Sequence, residues 1–358
     1  MRHTPPSHKK RTRKLLPVPV VALIDVVAAG ACLCIFSLFH HVLPRVSDFQ
    51  GTPISRPPVS DGAGASSSPS STDATQPPSP TGWAAKWPDK FSDTVVKTAN
   101  SYRSKDVSVE IQRVEENGVV YFVTDIYVNS IDNLRAGLAK DKFGQGLRES
   151  VQSMSQRLNA IVAINGDYYG NRTIGPVVRN GILYRESPFE DACVLYSDGV
   201  METYAAEELD MEAAKQRGAY QIWSFGPQLL DKNGKAFATS EDFVSTVKGA
   251  NPRSAIGYYE PGHYCTVLVE GRQAGYSKGM SMVQLSQLFE SLGCKAAYNF
   301  DGGQSSVMTF MGEVYNQPAN GGRSNSDMFY VAELESRGEE HPCGFFESCC
   351  PMRASFWR

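Results

Sequence analysis

Asn299-Phe300-Asp301-Gly302-Gly303-Gln304-Ser305-Ser306 sits between two short apolar runs. The first is Cys294–Tyr298 and the second is Val307–Met311. One acid, two glycines and two hydroxyls fill the gap. That pattern suits a strand that delivers a polar loop to a site, a frequent place for functional residues. Upstream, Val283, Leu285, Leu288, Phe289 and Leu292 give Met282–Leu292 the apolar side of a helix. Ser281 is its natural N-cap and Gly293 its stop. A strand over 294–299 then feeds the loop. Downstream, Gly312-Glu313 makes a turn. Gln317-Pro318-Ala319-Asn320-Gly321-Gly322-Arg323 is another glycine-rich loop, and Met328–Leu334 a closing strand.

Two more polar loops lie earlier in the chain. A helix expected over Gly146–Asn159, with Leu147, Val151, Met154 and Leu158 as its stripe, leads to a strand over Ala160–Ile164. That strand ends in Asn165-Gly166-Asp167-Tyr168-Tyr169-Gly170, so Asn165 and Asp167 project from a strand end. Asn251-Pro252-Arg253-Ser254-Ala255-Ile256-Gly257 places an arginine at a strand entry. Arginine is the preferred fork for phosphate or carboxylate. Cys265–Val269 reads as a strand with Glu270-Gly271-Arg272 as its turn.

The remaining folded part alternates hairpins with short helices. Ser108–Gln112 and Val119–Val128 flank Glu116-Asn117-Gly118, a hairpin signal. Gly175–Glu186 and Cys193–Tyr204 read as hairpins turning at Arg179-Asn180-Gly181 and Ser197-Asp198-Gly199. Glu207–Arg217 reads as an amphipathic helix, Gln221–Gly226 as a strand, and Asp231-Lys232-Asn233-Gly234 as a turn. These elements predict an α+β class: a mixed or antiparallel β-sheet core with a few packed helices, preceded by a single transmembrane helix.

Charge and composition divide the 358-residue chain. The whole carries −3; the first 43 residues hold six basic side chains against Asp25, so the remainder carries −8. That balance argues against nucleic acid as a partner. Residues 1–17 form a basic segment, and 18–43 an apolar run long enough to span a bilayer. The basic flank predicts a single-pass signal-anchor in the cell membrane, amino terminus cytoplasmic and the rest extracellular. A cleaved signal peptide is the rival, weakened by the length of the run. Residues 44–82 are rich in proline and serine and read as a disordered stalk. Residues 83–336 form the folded domain, and 337–358 a cysteine-containing tail. Cys193, Cys265, Cys294, Cys343, Cys349 and Cys350 allow many pairings; Cys343 with Cys349 or Cys350 is one way to staple the tail. His341 alone makes a zinc site there implausible.

Taken together, the Asn165, Arg253 and Asp301 loops, with Gly279-Met280-Ser281 and Gly322-Arg323, resemble the phosphodiester glycosidase family over residues 100–335. Gln304 stands where many relatives carry a third glycine. The resemblance implies hydrolysis of a sugar-1-phosphodiester to sugar and phosphomonoester. The anchor and stalk resemble those of envelope members described as exopolysaccharide-related. A sugar-phosphate or envelope glycopolymer is the implied substrate partner.

Such chemistry needs donors around an anionic phosphate and a carboxylate near the anomeric carbon. Asp167 and Asp301 are the candidate acids, with Asn165 orienting water or a sugar hydroxyl. Arg253 and Arg323 are candidate phosphate contacts, joined by the N–H groups of Gly302 and Gly303 and the hydroxyls of Ser305 and Ser306. No cofactor is required on this reading. Two alternatives stand beside it: a phosphodiesterase using Asp167 and Asp301 to bind a divalent metal, and a non-catalytic protein that binds or assembles envelope polysaccharide.

Overall fold

The central hairpin pairs β1 (Val107–Glu116) with β2 (Val119–Val128) from Val107↔Val128 to Glu116↔Val119, with β2 buried along most of its length. Asn117 and Gly118 both adopt positive φ at the turn, as a two-residue hairpin loop demands. The computed structural model describes residues 17–37, 45–46, 49–57, 82–187, 191–239, 243 and 249–334. Eight further strands frame the candidate site. They are β3 (Val162–Asn165), β4 (Val177–Arg179), β5 (Ala219–Trp223), β6 (Arg253–Glu260), β7 (His263–Val269), β8 (Ala296–Asn299), β9 (Met308–Phe310) and β10 (Asp327–Val331).

Among the described residues, three larger antiparallel sheets meet in the domain, beside a two-stranded pairing of Arg45–Val46 with Gly144–Gln145. A seven-stranded sheet runs β8-β6-β7-β2-β1, then Ser101–Arg103 and Val96–Lys97. A five-stranded sheet runs Glu313–Val314, β9, β3, β10 and Leu134–Leu138. A six-stranded sheet runs Met201–Tyr204, Ala192–Tyr196, β5, β4, Ile182–Arg185 and Thr52–Pro53. One continuous apolar core joins all three through Phe122, Ile164, Trp223, Tyr298, Phe300 and Phe329. With its packed helices, the domain is α+β.

Among the described residues the α-helices are α1 (Val18–Ser37), α2 (Val151–Arg157), α3 (Met211–Gln216) and α4 (Met282–Ser291). Helix α1 has 20 residues, mean hydropathy 2.5 and no buried side chain, so it is long and apolar enough to cross a membrane. Ser281 caps α4 in a reciprocal box with Gln284, and Gly293 leaves the helix with φ +79°. Leu285 and Phe289 bury their side chains against Val267 and Ala297.

Two helices are shorter than their apolar patterns predict. Ser150 accepts from the Ser153 N–H and starts α2 there, while Glu149 bridges to Asn325 as extended chain. Leu147 is buried with Val151 and Met154, but from the segment before the helix. Likewise Asp210 caps α3 and cuts away its expected first turn. Part of the expected stalk is also ordered. Thr52 and Pro53 pair with Leu183 and Ile182, and Arg56 reaches Asp132 at 2.6 and 3.0 Å. The rest of the stalk over 58–81, the basic segment over 1–16 and the tail from 335 lie outside the described residues.

Candidate active site

The end of each sheet contributes one wall. Strand β8 ends at Asn299 and delivers Asp301; β3 ends at Asn165 and delivers Asp167; Arg253 opens β6; Arg179 closes β4; Asp327 opens β10. Buried side chains lock these ends together. Asn165 Nδ2 donates to the Asp301 carbonyl at 2.7 Å, and Ser254 Oγ donates to Asn165 Oδ1 at 2.7 Å. Asn299 Nδ2 donates to the Gly226 carbonyl at 3.0 Å and to that of Phe300 at 2.8 Å. Asn299 Oδ1 is buried with no hydrogen-bond partner, an acceptor left over in a wall of the pocket.

Asp301 has a defined set of donors. Oδ1 receives the Gly302 N–H at 2.9 Å. Oδ2 receives Ser305 Oγ at 2.5 Å and Arg323 Nη2 at 2.6 Å. Arg323 Nε also donates to Ser305 Oγ at 2.6 Å, closing a three-residue ring. A carboxylate offers about four lone-pair sites, so one remains on Oδ1.

Asp301 opens onto a pocket of about 230 Å³ that also carries Arg253, Arg272 and Arg323. Arg253 is buried, with Nε donating to the Met280 carbonyl at 3.1 Å and Nη2 to that of Gly249 at 2.8 Å. Burial, then the charge of Arg272, push its pKa down to about 10. Arg272 donates from Nε and Nη2 to Asn251 Oδ1 at 2.9 and 2.7 Å. Its guanidinium lies over Gly303, where an added Cβ would stand 3.0 Å from Nη1. Phe225 and Met282 supply the apolar part of the wall.

Asp167 occupies a different environment. It borders a narrow slot shared with Asp301, Tyr168 and Arg323. Oδ1 lies 2.9 Å from Arg179 Nη2 as an ion pair and accepts the Tyr169 N–H at 3.0 Å; Oδ2 accepts the Ser224 N–H at 3.1 Å. Arg179 continues to Asp327 Oδ2 at 2.9 Å, and Arg179, Asp167 and Asp327 all have side chains at most 1% exposed. Burial raises the Asp327 carboxyl well above the usual range, with Arg179 opposing the rise. This triad joins the six-stranded sheet to the five-stranded one.

Several expected roles change in place. The Gly302 N–H is taken by Asp301, and the Gly303 N–H by the Pro252 carbonyl at 3.0 Å. Neither donor points at a ligand; both glycines still line the pocket, and at Gly302 an added Cβ would meet the Pro252 carbonyl at 2.7 Å. Ser305 is fully buried and serves Asp301 and Arg323. Ser306 is buried behind the loop with its hydroxyl unpartnered. Asn165 is also fully buried and fixes backbone instead of meeting water. Among the described residues, no group of three or more His, Cys, Asp or Glu side chains could hold a metal ion.

Residues 158–332 match the family model described as phosphodiester glycosidase. The chain resembles this family. The match contains every site residue named from the sequence, from Asn165 to Arg323. A relative in Bacillus subtilis (strain 168), the SPbeta prophage-derived uncharacterized protein YomE, is 27% identical over 266 residues. The alignment covers 66% of this chain and 41% of that protein, so the chain spans under half of its relative's length. The solved catalytic domain of zebrafish N-acetylglucosamine-1-phosphodiester alpha-N-acetylglucosaminidase, auto-inhibited by its pro-peptide, shares the fold at TM-score 0.51. It is 19% identical, with 64% of this chain and 83% of that one covered. A hypothetical protein from Synechocystis gives TM-score 0.44 and 14% identity, over 64% and 62% of the two chains. At the family level, the resemblance is to phosphodiester-glycosidase-type hydrolases.

Within this fold, three charged residues escaped notice in the sequence. Arg272 looked like part of a turn, yet it adopts φ +58°, uncommon outside glycine, and borders the pocket. Arg179 also looked like a turn residue, and Asp327 fell just before the expected closing strand over Met328–Leu334. The available signal for Arg179 was its place directly after Val177-Val178, in an apolar strand whose three residues are all buried.

Proposed function

We propose that this domain hydrolyses a sugar-1-phosphodiester outside the membrane, releasing the sugar and leaving a phosphomonoester. The observation that carries the reading is one pocket holding Asp301 with Arg253, Arg272 and Arg323. Three guanidinium groups fit the anionic phosphodiester and stabilise charge as the glycosidic bond opens. A phosphate leaves with little need for protonation, so a single carboxylate suffices at the anomeric carbon. Asp301 fills that role, using the remaining lone pair on Oδ1 to orient and deprotonate the attacking water. Ser305 and Arg323 fix its other oxygen. Phe225 and Tyr168, whose rings lie 6.2 Å apart edge to face, flank the pocket and the adjoining slot and offer apolar contact to a sugar face. Asp167 positions the slot through Arg179 and does not touch the reacting atoms. Helix α1 holds the domain at the outer face of the cell membrane, within reach of envelope glycopolymers.

The test is turnover of a panel of sugar-1-phosphodiesters by the full chain in ¹⁸O-labelled water. Cleavage at the sugar carbon leaves the phosphomonoester unlabelled. Label in that phosphate, or release of a sugar-1-phosphate, overturns the glycosidase reading. Loss of turnover on chelation, with restoration by one divalent ion, would favour a metal-dependent phosphodiesterase.

A further inference from the structure

The sulfurs of Cys265 and Cys294 lie 3.6 Å apart in the apolar layer beneath α4, and neither cysteine lines the pocket. Cys265 sits on β7 directly opposite Gly257 of β6, and Ala297 of β8 faces Gly257 from the other side. Cys294 leaves the end of α4, its N–H bonded to the Phe289 carbonyl at 3.2 Å. The two sulfurs therefore converge over β6 at the one residue that has no side chain. A Cβ on Gly257 would stand 2.7 Å from one sulfur and 2.8 Å from the other. Gly257 has ordinary backbone geometry, so its lack of a Cβ serves space and not conformation. Cys193 lies in the separate main core, and the Cys265–Cys294 contact leaves it outside the pair.

We propose that Cys265 and Cys294 form a disulfide when the chain folds in an oxidising compartment. The sulfurs must approach by about 1.5 Å to reach bonding distance, which rotation about the side-chain bonds supplies where Gly257 lacks a Cβ, beside the Phe289 ring. In the unfolded chain, one cysteine thiolate attacks the disulfide of a small-molecule or protein oxidant. That oxidant's S–S bond breaks, a mixed disulfide forms and one thiol leaves. The second cysteine, after losing its proton, attacks the mixed disulfide, forms the Cys265–Cys294 bond and expels the oxidant's other sulfur as thiol. Two electrons and two protons pass to the oxidant. After folding, both sulfurs are buried, and the neighbouring Cys294 sulfur together with burial drives the Cys265 thiol far up, so a reduced pair resists later oxidation. The bond ties β7, which runs to Arg272, to the root of β8, which runs to Asp301.

The test refolds detergent-solubilised full chain in parallel with a glutathione redox couple and with dithiothreitol. Free thiols are then alkylated under denaturing conditions and the peptides mapped by mass. The expected product with glutathione is a Cys265–Cys294 linked peptide pair, lighter by two hydrogens than the reduced peptides. Its thermal midpoint should exceed that of the reduced protein by roughly 5–10 °C. A C265S/C294S double variant should lose the linked pair and this redox-dependent difference. Alkylation of both cysteines after oxidative refolding, or their linkage to Cys193 or a tail cysteine, overturns the proposal. The peptide map of the unmutated chain decides the matter even where the double variant fails to fold.

Discussion

Asn165-Gly166-Asp167 and Asn299-Phe300-Asp301 begin alike and end differently. Each starts with a buried asparagine at a strand end whose Nδ2 donates to the carbonyl of the next residue. Each presents an aspartate two residues on. The Asp301 side chain keeps 13% exposure beside an open pocket, while that of Asp167 keeps 1% against Arg179. The middle residue makes the difference. Phe300 is buried in the core, but Gly166 lets the Asp327 carboxylate approach so closely that an added Cβ would stand 2.5 Å from it. That approach brings Asp327 and Asp167 onto one guanidinium. Local motif alone does not separate a carboxylate that faces a pocket from one sealed in the interior; each has an arginine partner, and burial tells them apart.

The largest expected effect tests the open side. Asp301→Asn should lower kcat by about 10²–10⁴-fold, with an unchanged circular dichroism spectrum and thermal midpoint. A variant with near-normal kcat would remove Asp301 from the chemistry. On the sealed side, Arg179→Met leaves two buried carboxylates uncompensated and should cost about 3–5 kcal/mol in urea unfolding. Little change in the unfolding midpoint would show that the triad does not hold the sheets. Arg272→Ala removes a charged donor and should raise KM by about 10–100-fold, with stability intact because its side chain is exposed. An unchanged KM would place the phosphodiester elsewhere in the pocket.

A smaller effect concerns the support of the Arg323 loop. Glu270 is buried, accepts the Gln317 N–H at 2.5 Å, and has its carboxyl pushed up to about 7 by burial. A carboxyl raised in the fold holds its proton where the unfolded chain has lost it. Its contribution is therefore complete below the unfolded value of roughly 4.3 and falls as pH rises through about 7. Urea titrations between pH 4.5 and 8 should show stability declining with pH more steeply in the wild type than in Glu270→Gln. Parallel pH profiles would remove Glu270 as a contributor.

Much of the frame was legible in local pattern. Alternation marked β1 and β2, positive-φ turn residues marked their hairpin, and Ser281 with Gly293 bounded α4, because these signals act within a few residues. Helix ends were overrun where Ser150 and Asp210 cap early, since an apolar stripe continues past the chain that is helical. In the site, the Asp301, Arg253 and Arg323 loops converge on one pocket as their polar residues suggested. The inward turn of Ser305, Ser306 and Asn165 was not legible, because their partners lie on other strands.

By itself the sequence determined the apolar amino-terminal helix, the β-rich α+β domain and the loops that carry its polar residues. All follow from periodicity, length and turn chemistry within short windows. Only the tertiary structure decided that Asp301 faces the pocket, that Arg272 joins it and that Arg179 closes over Asp167. The reason is physical. The electrostatic role of a charged side chain depends on burial and on partners tens to over a hundred residues away, as the 2.9 Å contact from Arg179 to Asp327 illustrates.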